Sequence, residues 1–342
     1  PPFQAEDGIR DLASSLVGSE MCIRDRVTPD PHTSVLNRRQ FLVRSAKAGI
    51  SIAAVSAAGF WFHDAKGPDR PVEQHSDIRL PDYSVEDLGA KMSVVRGQDR
   101  AATLRLALKS LGGIETFIKK GDRVLLKVNA AFASPAMLSA TTHPAIIAEM
   151  TTLCYGAGAA SVVVTDNPIN DPASCFTLTG IAEAARSAGA KVILPRPELF
   201  KSLSVPQAKL IQNRPVLYEP LVNVTKIIGM APVKDHHRSG ASMVMKNWYG
   251  LLGGRRNIFH QDINTIIMEL AMMVTPSLVI LDGTMSMMTN GPTGGSLSDL
   301  KQTNTMIVGT DQVAVDAFGA TLLDRRFGDL PFIGMAEAAG IG

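Results

Sequence analysis

Cysteine is scarce in this chain of 342 residues, and its spacing excludes the common cysteine-based sites. The three cysteines are Cys22, Cys154 and Cys175, and no two of them form a CxxC pair. Zinc knuckles and cysteine-ligated iron–sulfur clusters need closely spaced thiolates, so the sequence predicts neither. Cys154 and Cys175 could pair as one disulfide in an oxidising compartment. Two buried free thiols are the favoured prediction, because unpaired cysteine is among the most buried residue types.

The chain also has few aromatic residues and little net charge. Phe, Trp and Tyr make up 5% of the chain, and 34 Lys and Arg nearly balance 32 Asp and Glu. A nucleic-acid-binding surface usually shows a basic stripe interleaved with aromatics, and no such stripe is present. The composition therefore predicts no nucleic-acid partner. A hydrophobic content of 45% instead predicts a globular protein with a sizeable core.

The familiar signatures of nucleotide binding and covalent hydrolysis are missing as well. The glycine-rich segment 290–295 (NGPTGG) is not closed by Gly-Lys-Ser/Thr and does not match GxGxxG. No serine nucleophile elbow or local Cys–His signature supports hydrolysis through a covalent intermediate. Two predictions remain for NGPTGG. Its backbone amides bind a carboxylate or phosphate, with Gly291 and Gly294 as ligand-binding residues, or it is a mobile turn.

The first 90 residues divide into three segments by composition. Residues 1–26 lack periodicity and resemble translated sequencing-adapter read-through, so we expect them to be absent from the natural protein. Residues 27–62 contain Arg38-Arg39, then Phe41-Leu42, then an Ala-rich apolar run. Residues 63–90 are polar and contain three prolines, which predicts a linker.

The order of features in residues 27–62 resembles a twin-arginine export signal. This resemblance implies that the twin-arginine machinery exports the folded protein to the periplasm. The apolar run of roughly 15 residues is too short to span a bilayer comfortably. Cleavage of the signal and its retention as a membrane anchor both remain open. The alternative is an amphipathic or core helix that follows a chance pair of arginines.

Strand-like and helix-like segments alternate beyond residue 90. Strands are predicted at 92–95, 122–128, 161–165, 191–194, 227–232, 278–281 and 305–308, with amphipathic segments between them. The strands are nearly continuous apolar runs, as expected where both faces of a parallel sheet are covered. We therefore predict an α/β fold with a mostly parallel sheet, helices on both faces, and a small inserted hairpin around 200–222.

Polar residues follow several of these strands, and one edge of a parallel sheet brings such ends together. Lys234 and His236 are two apart, so an extended backbone points both to one side. The predicted catalytic residues are His236, for proton transfer, with Lys234 and Lys246. The predicted ligand-binding side chains at the same edge are Lys127, Asn129, Asn247 and Asp282. The alternative is a solvated charged turn and ordinary helix caps.

A metal site is a weaker prediction from the same residues. His143, His236 and His260 together with Asp282 would suit a divalent transition metal. No two of them show a tight ligand spacing such as HxxxH, which favours capping and surface histidines instead. The identity of any cofactor is unknown from the sequence.

Seven short motifs recur in the order found in one known family. They are GDRVLLKVN (121–129), TTHP (141–144), KDH (234–236), MKNWYG (245–250), DGT (282–284), NGPTGG (290–295) and GTDQVAVDA (309–317). Together they resemble the domain of unknown function 362 family, over about residues 91–342. The polar positions that match the family's pattern are Lys127, Asn129, Lys234, His236, Lys246, Asn247, Asp282 and Asp316.

The resemblance implies an α/β domain, which in some members is joined to a ferredoxin-like module that binds 4Fe–4S clusters. This chain has no such cysteine set, so a cluster would need a further C-terminal segment. The chain ends at Gly342 just after a predicted helix, and we expect that it is truncated there.

Two functions follow from the predicted cluster of cations and imidazoles. In the first, an exported enzyme or redox-associated protein acts on a small anionic ligand or cofactor, with a redox partner protein as a further partner. In the second, a non-catalytic module binds or delivers such a ligand in the periplasm. A structural exported domain whose polar strand ends are merely caps is a third possibility.

Overall fold

The computed structural model describes residues 38–47 and 78–342. The chain divides into two compact units, Pro1–Val72 and Glu73–Gly342. In the first unit the described residues form one helix, α1 (38–47), and every residue of this helix is exposed. The adapter-like segment 1–26 and the apolar run from Ala48 to Phe62 lie outside the described residues. Among the residues that are described, no helix is both long enough and apolar enough to cross a bilayer.

The second unit is built on ten strands and nine α-helices within residues 78–342. The strands are β1 Met92–Arg96, β2 Arg123–Lys127, β3 Ser161–Thr165, β4 Lys191–Ile193, β5 Phe200–Leu203, β6 Arg214–Leu217, β7 Lys226–His236, β8 Gly240–Ser242, β9 Leu278–Met287 and β10 Leu300–Gly309. The helices are α2 Arg100–Ser110, α3 Pro144–Gly156, α4 Pro172–Leu178, α5 Ile181–Ser187, α6 Glu219–Val222, α7 Val244–Asn247, α8 Ile263–Met273, α9 Gln312–Thr321 and α10 Pro331–Ala338.

Eight of the strands form one mixed sheet in the order β1-β10-β9-β7-β2-β3-β4, with β8 added to β7. The five strands from β9 to β4 run parallel, whereas β1, β10 and β8 pair antiparallel. The remaining strands, β5 and β6, form an antiparallel hairpin. The predicted α/β fold with a mostly parallel sheet is confirmed, and a hairpin lies within the predicted range 200–222.

Alternation along the central strands places apolar side chains on both faces of the sheet. Leu125 of β2 belongs to one buried cluster, whereas Val124 and Leu126 belong to the other. The first cluster includes side chains of α7, α8, α9 and α10, and the second includes side chains of α2, α3 and α5. Both faces are therefore covered by helices, which explains why β2 is apolar from Val124 to Leu126.

Polar side chains cap several of these helices at their N-termini. The carboxylates of Asp99 and Asp311 accept backbone N–H groups and cap α2 and α9. At α3 the cap is His143, and its Nδ1 accepts the amide of Ala145 at 3.2 Å. The hydroxyl of Thr142 is used elsewhere, since it bonds the main chain of two strand ends.

Two strands run further than their apolar residues indicate. β7 continues through Lys234 to His236, because it pairs there with β8 in a tight hairpin. β9 continues past Asp282 to Met287, because it pairs with β10 across a bulge. Asp282 therefore lies within a strand, opposite Met306, and not at its end.

Residues 78–90, predicted as the end of a linker, belong to the second unit and pack against its core. Tyr83 is buried, and its hydroxyl donates to the carbonyl of Leu221 at 3.0 Å. The cysteine prediction is also settled for two of the three residues. Cys154 and Cys175 are buried free thiols, and burial raises the pKa of Cys154 to about 12.

One close contact in the centre of the sheet yields a stability prediction. A Cβ at Gly229 of β7 would stand 2.7 Å from Cη2 of Trp248. That ring is fully buried and held by a 2.7 Å bond from Nε1 to Gln312. We expect Gly229→Ala to lower the free energy of unfolding by about 1–3 kcal/mol in urea titrations. Gly156→Ala is the control, since a Cβ there meets open space and helix propensity favours alanine.

Candidate functional site

A cavity of about 710 Å³ opens where the central parallel strands end, and we call it the cationic cavity. Its walls come from the segments after β2 and β3, the end of β7, helix α7 and the turn 290–294. The charged side chains that line it are Asp166, Lys234, Lys246 and Arg256. Open α/β sheets commonly bind ligands at this position.

A buried ion pair lies directly behind the cavity lining. Nζ of Lys127 is 2.8 Å from Oδ1 of Asp166, and both side chains are almost completely buried. The same ammonium donates to the carbonyls of Val128 at 2.7 Å and Asn247 at 2.8 Å. Asp166 also accepts the amide of Ala130 at 2.6 Å. Burial lowers the pKa of Lys127, and the Asp166 carboxylate opposes that shift. Lys127 therefore ties strand ends together and is not available to a ligand.

Asn247 braces β2 against β7. Its Nδ2 donates to the carbonyls of Lys127 and Met230, which belong to β2 and β7. Its Oδ1 accepts from Asn129 Nδ2 at 3.2 Å and from Lys127 Nζ at 3.3 Å. Every polar atom of this buried amide is thus occupied by the protein. Asn247 lines the cavity, but its contacts are those of a structural residue.

Helix α7 is positioned by a carboxylate beneath it. Asp316 of α9 is fully buried and accepts the amides of Val244 at 2.9 Å and Met245 at 3.1 Å. Burial raises the pKa of Asp316 to about 7, and the two amide bonds oppose that shift. The next turn closes on the ion pair, since a Cβ at Gly250 would stand 1.9 Å from Asp166 Oδ1. The MKNWYG motif therefore needs its glycine for close approach.

Lys234 and Lys246 differ from Lys127 because neither forms an ion pair among the described residues. Nζ of Lys234 donates to the carbonyl of Ala140 at 2.5 Å and lies 5.2 Å from the ring centre of Phe132. Burial, and then the charge of Lys246, lower the pKa of Lys234 to about 7. Nζ of Lys246 lies 5.2 Å from the ring centre of Tyr249. Burial, and then Arg256, lower its pKa to about 8.

His236 lies between two other imidazoles. Its ring centre is 4.9 Å from His237 and 6.0 Å from His260, with nearly parallel planes. Its Nδ1 faces the amides of Arg238 and Ser239, each at 3.2 Å, which makes Nδ1 the acceptor and places the proton on Nε2. Burial, and then Lys246, lower the pKa of His236 to about 2. This imidazole is therefore neutral at physiological pH.

A sequence profile for a domain of unknown function, DUF362, matches residues 124–321, more than half of the chain. The chain belongs to this family. It is also 25% identical over 258 residues to a thylakoid-associated protein of Synechocystis sp., an alignment that covers 70% of this chain and 75% of that relative. The matched profile includes Lys127, Lys234 and Lys246, so the cationic cavity lies within the family domain.

The glycine-rich turn of the family domain closes one side of the cavity. A Cβ at Gly291 would stand 1.9 Å from the carbonyl oxygen of Asp235, so only glycine allows this approach. The amide of Gly291 donates to the Asp235 carboxylate at 3.3 Å, and that of Gly294 to the carbonyl of Asn290 at 2.9 Å. Both predicted ligand-binding amides are therefore already engaged within the protein.

The structure does not bring Asp282 and His143 to the cationic cavity. Asp282 pairs with Nε of Arg100 at 2.7 Å, and Arg100 is also close enough to lower the pKa of His143 after the larger effect of burial. His236 and His260 lie at the cavity but stack face to face. Among the described residues, no three His, Cys, Asp or Glu side chains are grouped to hold a metal ion.

Three residues of the cavity were not among the predicted site residues. Arg256 donates from its guanidinium to the carbonyls of Asn167 at 2.7 Å and of Pro168. The hydroxyl of Tyr249 donates in turn to the carbonyl of Arg256. Phe132 covers the ammonium of Lys234. Tyr249 stands inside the MKNWYG motif, but nothing in the sequence indicates which residues these side chains meet.

The contrast between the two buried lysines of the sheet predicts opposite effects on stability. The unfolded pKa of Lys234 is 10.5 and the folded value is about 7, so the unfolded state binds more protons between these pH values. Lys234→Met removes this penalty. At about 1.4 kcal/mol per pKa unit, the free energy of unfolding at pH 7 should rise by at most roughly 5 kcal/mol. The gain should shrink as the pH rises toward 10.5.

Lys127→Met is the matched variant, and it should lose roughly 3–5 kcal/mol because Asp166 is left buried without its cation. Urea titrations at several pH values between 6 and 10 measure both effects. A loss of stability in Lys234→Met as large as that in Lys127→Met would show that Lys234 is a structural residue.

Proposed function

We propose that the cationic cavity binds a small oxyanion, a carboxylate or a phosphate, and that Lys234 transfers a proton to or from it. The observation that carries this proposal is the excess of cations. Lys234, Lys246 and Arg256 line the cavity with one carboxylate, Asp166, and that carboxylate is already paired with Lys127 behind the lining. Burying unpaired charge is costly, so an anionic ligand would relieve the repulsion between these groups.

The neutral His236 supports hydrogen bonding to the ligand more than proton transfer. Its Nδ1 accepts main-chain amides, which leaves an Nε2–H donor on a ring that lines the cavity. Such a donor can bind an oxyanion without competing for its proton. Lys234 has a pKa of about 7 and exchanges protons readily near neutrality. The geometry therefore favours Lys234 over His236 as the acid or base.

A carrier without turnover remains the second proposal, because the braced Asn247 and the ion pair would equally make a rigid binding site. Native mass spectrometry of protein that has passed through its own export route would identify a co-purifying anion. If the protein is an enzyme, this anion should be chemically altered after incubation with a redox partner or water. A carrier would return it unchanged.

The binding proposal predicts a loss of affinity when Lys246 is neutralised. Sulfate and acetate serve as probes, because both keep their charge between pH 6 and 10. Charge-assisted hydrogen bonds contribute about 1.5–3 kcal/mol, so Lys246→Met should weaken sulfate binding about 10- to 100-fold in calorimetric titrations. Lys109→Met is the control, since Lys109 is an exposed lysine of α2. Unchanged affinity in Lys246→Met would refute the proposal.

The same titrations predict a pH dependence. The pKa of Lys246 is about 8 and that of Lys234 about 7, so both lose charge as the pH rises through this range. Sulfate affinity should therefore fall between pH 7 and pH 9, and binding near pH 8 should take up protons. Titrations in buffers of different ionisation enthalpy measure that uptake.

We further propose that the chain is exported or associated with a membrane. Arg38 and Arg39 precede Phe41 and Leu42 in the order of a twin-arginine signal, and the Synechocystis relative is thylakoid-associated by name. Arg38→Lys with Arg39→Lys should leave the protein in the cytoplasm, as measured by cell fractionation. Arg44→Lys, in the same helix, is the control and should not change the distribution. An unchanged distribution in the double variant would contradict export by this route.

A further inference from the structure

A second cavity of about 850 Å³ adjoins the cationic cavity, and we call it the proline groove. The residues that line both cavities are Asn167, Ile169, Tyr249, Arg256 and His260. Ile169, the apolar member of this set, is 64% exposed. The two cavities therefore share one wall and together exceed the volume that a small oxyanion needs.

The remaining surface of the groove offers few hydrogen bonds. Four of its lining residues are Pro172, Pro195, Pro197 and Pro215, which have no backbone N–H to donate. Phe200 adds an aromatic ring. Such a surface can pack against apolar groups of a ligand. It offers few hydrogen bonds to replace those that a polar group of the ligand forms with water.

Three side chains of the shared wall donate hydrogen bonds to the protein's own main chain. The guanidinium of Arg256 donates to the carbonyls of Asn167 and Pro168, and Nδ2 of Asn167 donates to the carbonyl of Leu252 at 2.7 Å. The hydroxyl of Tyr249 donates to the carbonyl of Arg256. These side chains are therefore held in place, and the donors named here point toward main-chain carbonyls.

Close contacts around Gly253 also fix the shape of the groove. The amide of Gly253 donates to the carbonyl of Pro215 at 2.7 Å, which attaches the segment after α7 to the inserted hairpin. A Cβ at Gly253 would stand 2.7 Å from Cδ1 of Phe200, so glycine is needed for the ring to pack there. Arg196, the other charged residue of the groove, pairs with Glu198 at 3.2 Å and adds no net charge.

From this arrangement we propose that the ligand is an amphipathic anion, whose oxyanion head occupies the cationic cavity and whose apolar body lies in the proline groove. The inference rests on the proposed function, because the head must bind beside Lys234 and Lys246. It adds the class of ligand: a carboxylate or phosphate that carries an apolar body of several carbons. The ligand would run past the shared residues, with its charged end on one side of them and its apolar end on the other.

Straight-chain carboxylates test this inference, because acetate carries only the head and octanoate adds six methylenes. Each buried methylene adds about fourfold to affinity, so octanoate should bind at least about 100-fold more tightly than acetate. Phe200→Asp and, independently, the exposed Pro197→Asp place a carboxylate in the groove and should abolish this gain while acetate binding is unchanged. Phe327→Asp, at an exposed phenylalanine that lines neither cavity, should keep the gain.

The possible outcomes separate the two proposals. If acetate and sulfate bind but octanoate binds no more tightly, the inference is overturned and the proposed function stands. A chain-length gain that persists in both groove variants would place the apolar body elsewhere and also overturn it. If neither head-group probe nor octanoate binds the unmodified protein, the proposed function fails and the inference fails with it.

Discussion

The ion pair between Lys127 and Asp166 is the contact on which the geometry of the cavity depends. A buried ion pair stabilises a fold only when its remaining hydrogen-bonding atoms are also satisfied. Here the ammonium has two backbone carbonyls and the carboxylate has a backbone amide. The pair thereby joins the ends of β2 and β3 to the segment that carries Lys246 and Asn247. Gly250 packs against it so closely that no larger residue would fit.

Around this pair the chain holds two further lysines in surroundings that favour their neutral forms. These lysines lower the free energy of unfolding, because burial and mutual repulsion both disfavour the charged ammonium. Natural proteins accept such local losses where a site needs them, and groups with strongly shifted pKa values cluster at functional sites. Structural lysines are paired, as Lys127 is. Among the described residues, the lack of an ion pair at Lys234 and Lys246 is what supports the proposed binding site.

The histidines show that residue type alone does not assign a role. His143 caps a helix, His236 is a neutral hydrogen-bond donor with an occupied Nδ1, and His260 stacks on it beside Tyr249. Each role follows from the partner of one ring nitrogen. That partner is set by loops and strand ends that meet only in the folded chain.

Apolar runs mark buried strands, and parallel strands share one edge for their ends. The α/β class, the mostly parallel sheet and the placement of Lys234 and Lys246 at one edge could therefore be predicted from the sequence. Which groups are paired depends on contacts that form only in the folded chain. Asp282 meets Arg100 instead of the cavity, Lys127 is neutralised by Asp166, and Arg256 binds carbonyls 88 and 89 positions away. Periodicity reports which face a residue occupies, but charge compensation depends on distances of a few ångströms between segments far apart in the chain. Those distances are set by packing across the sheet, and no local pattern encodes them.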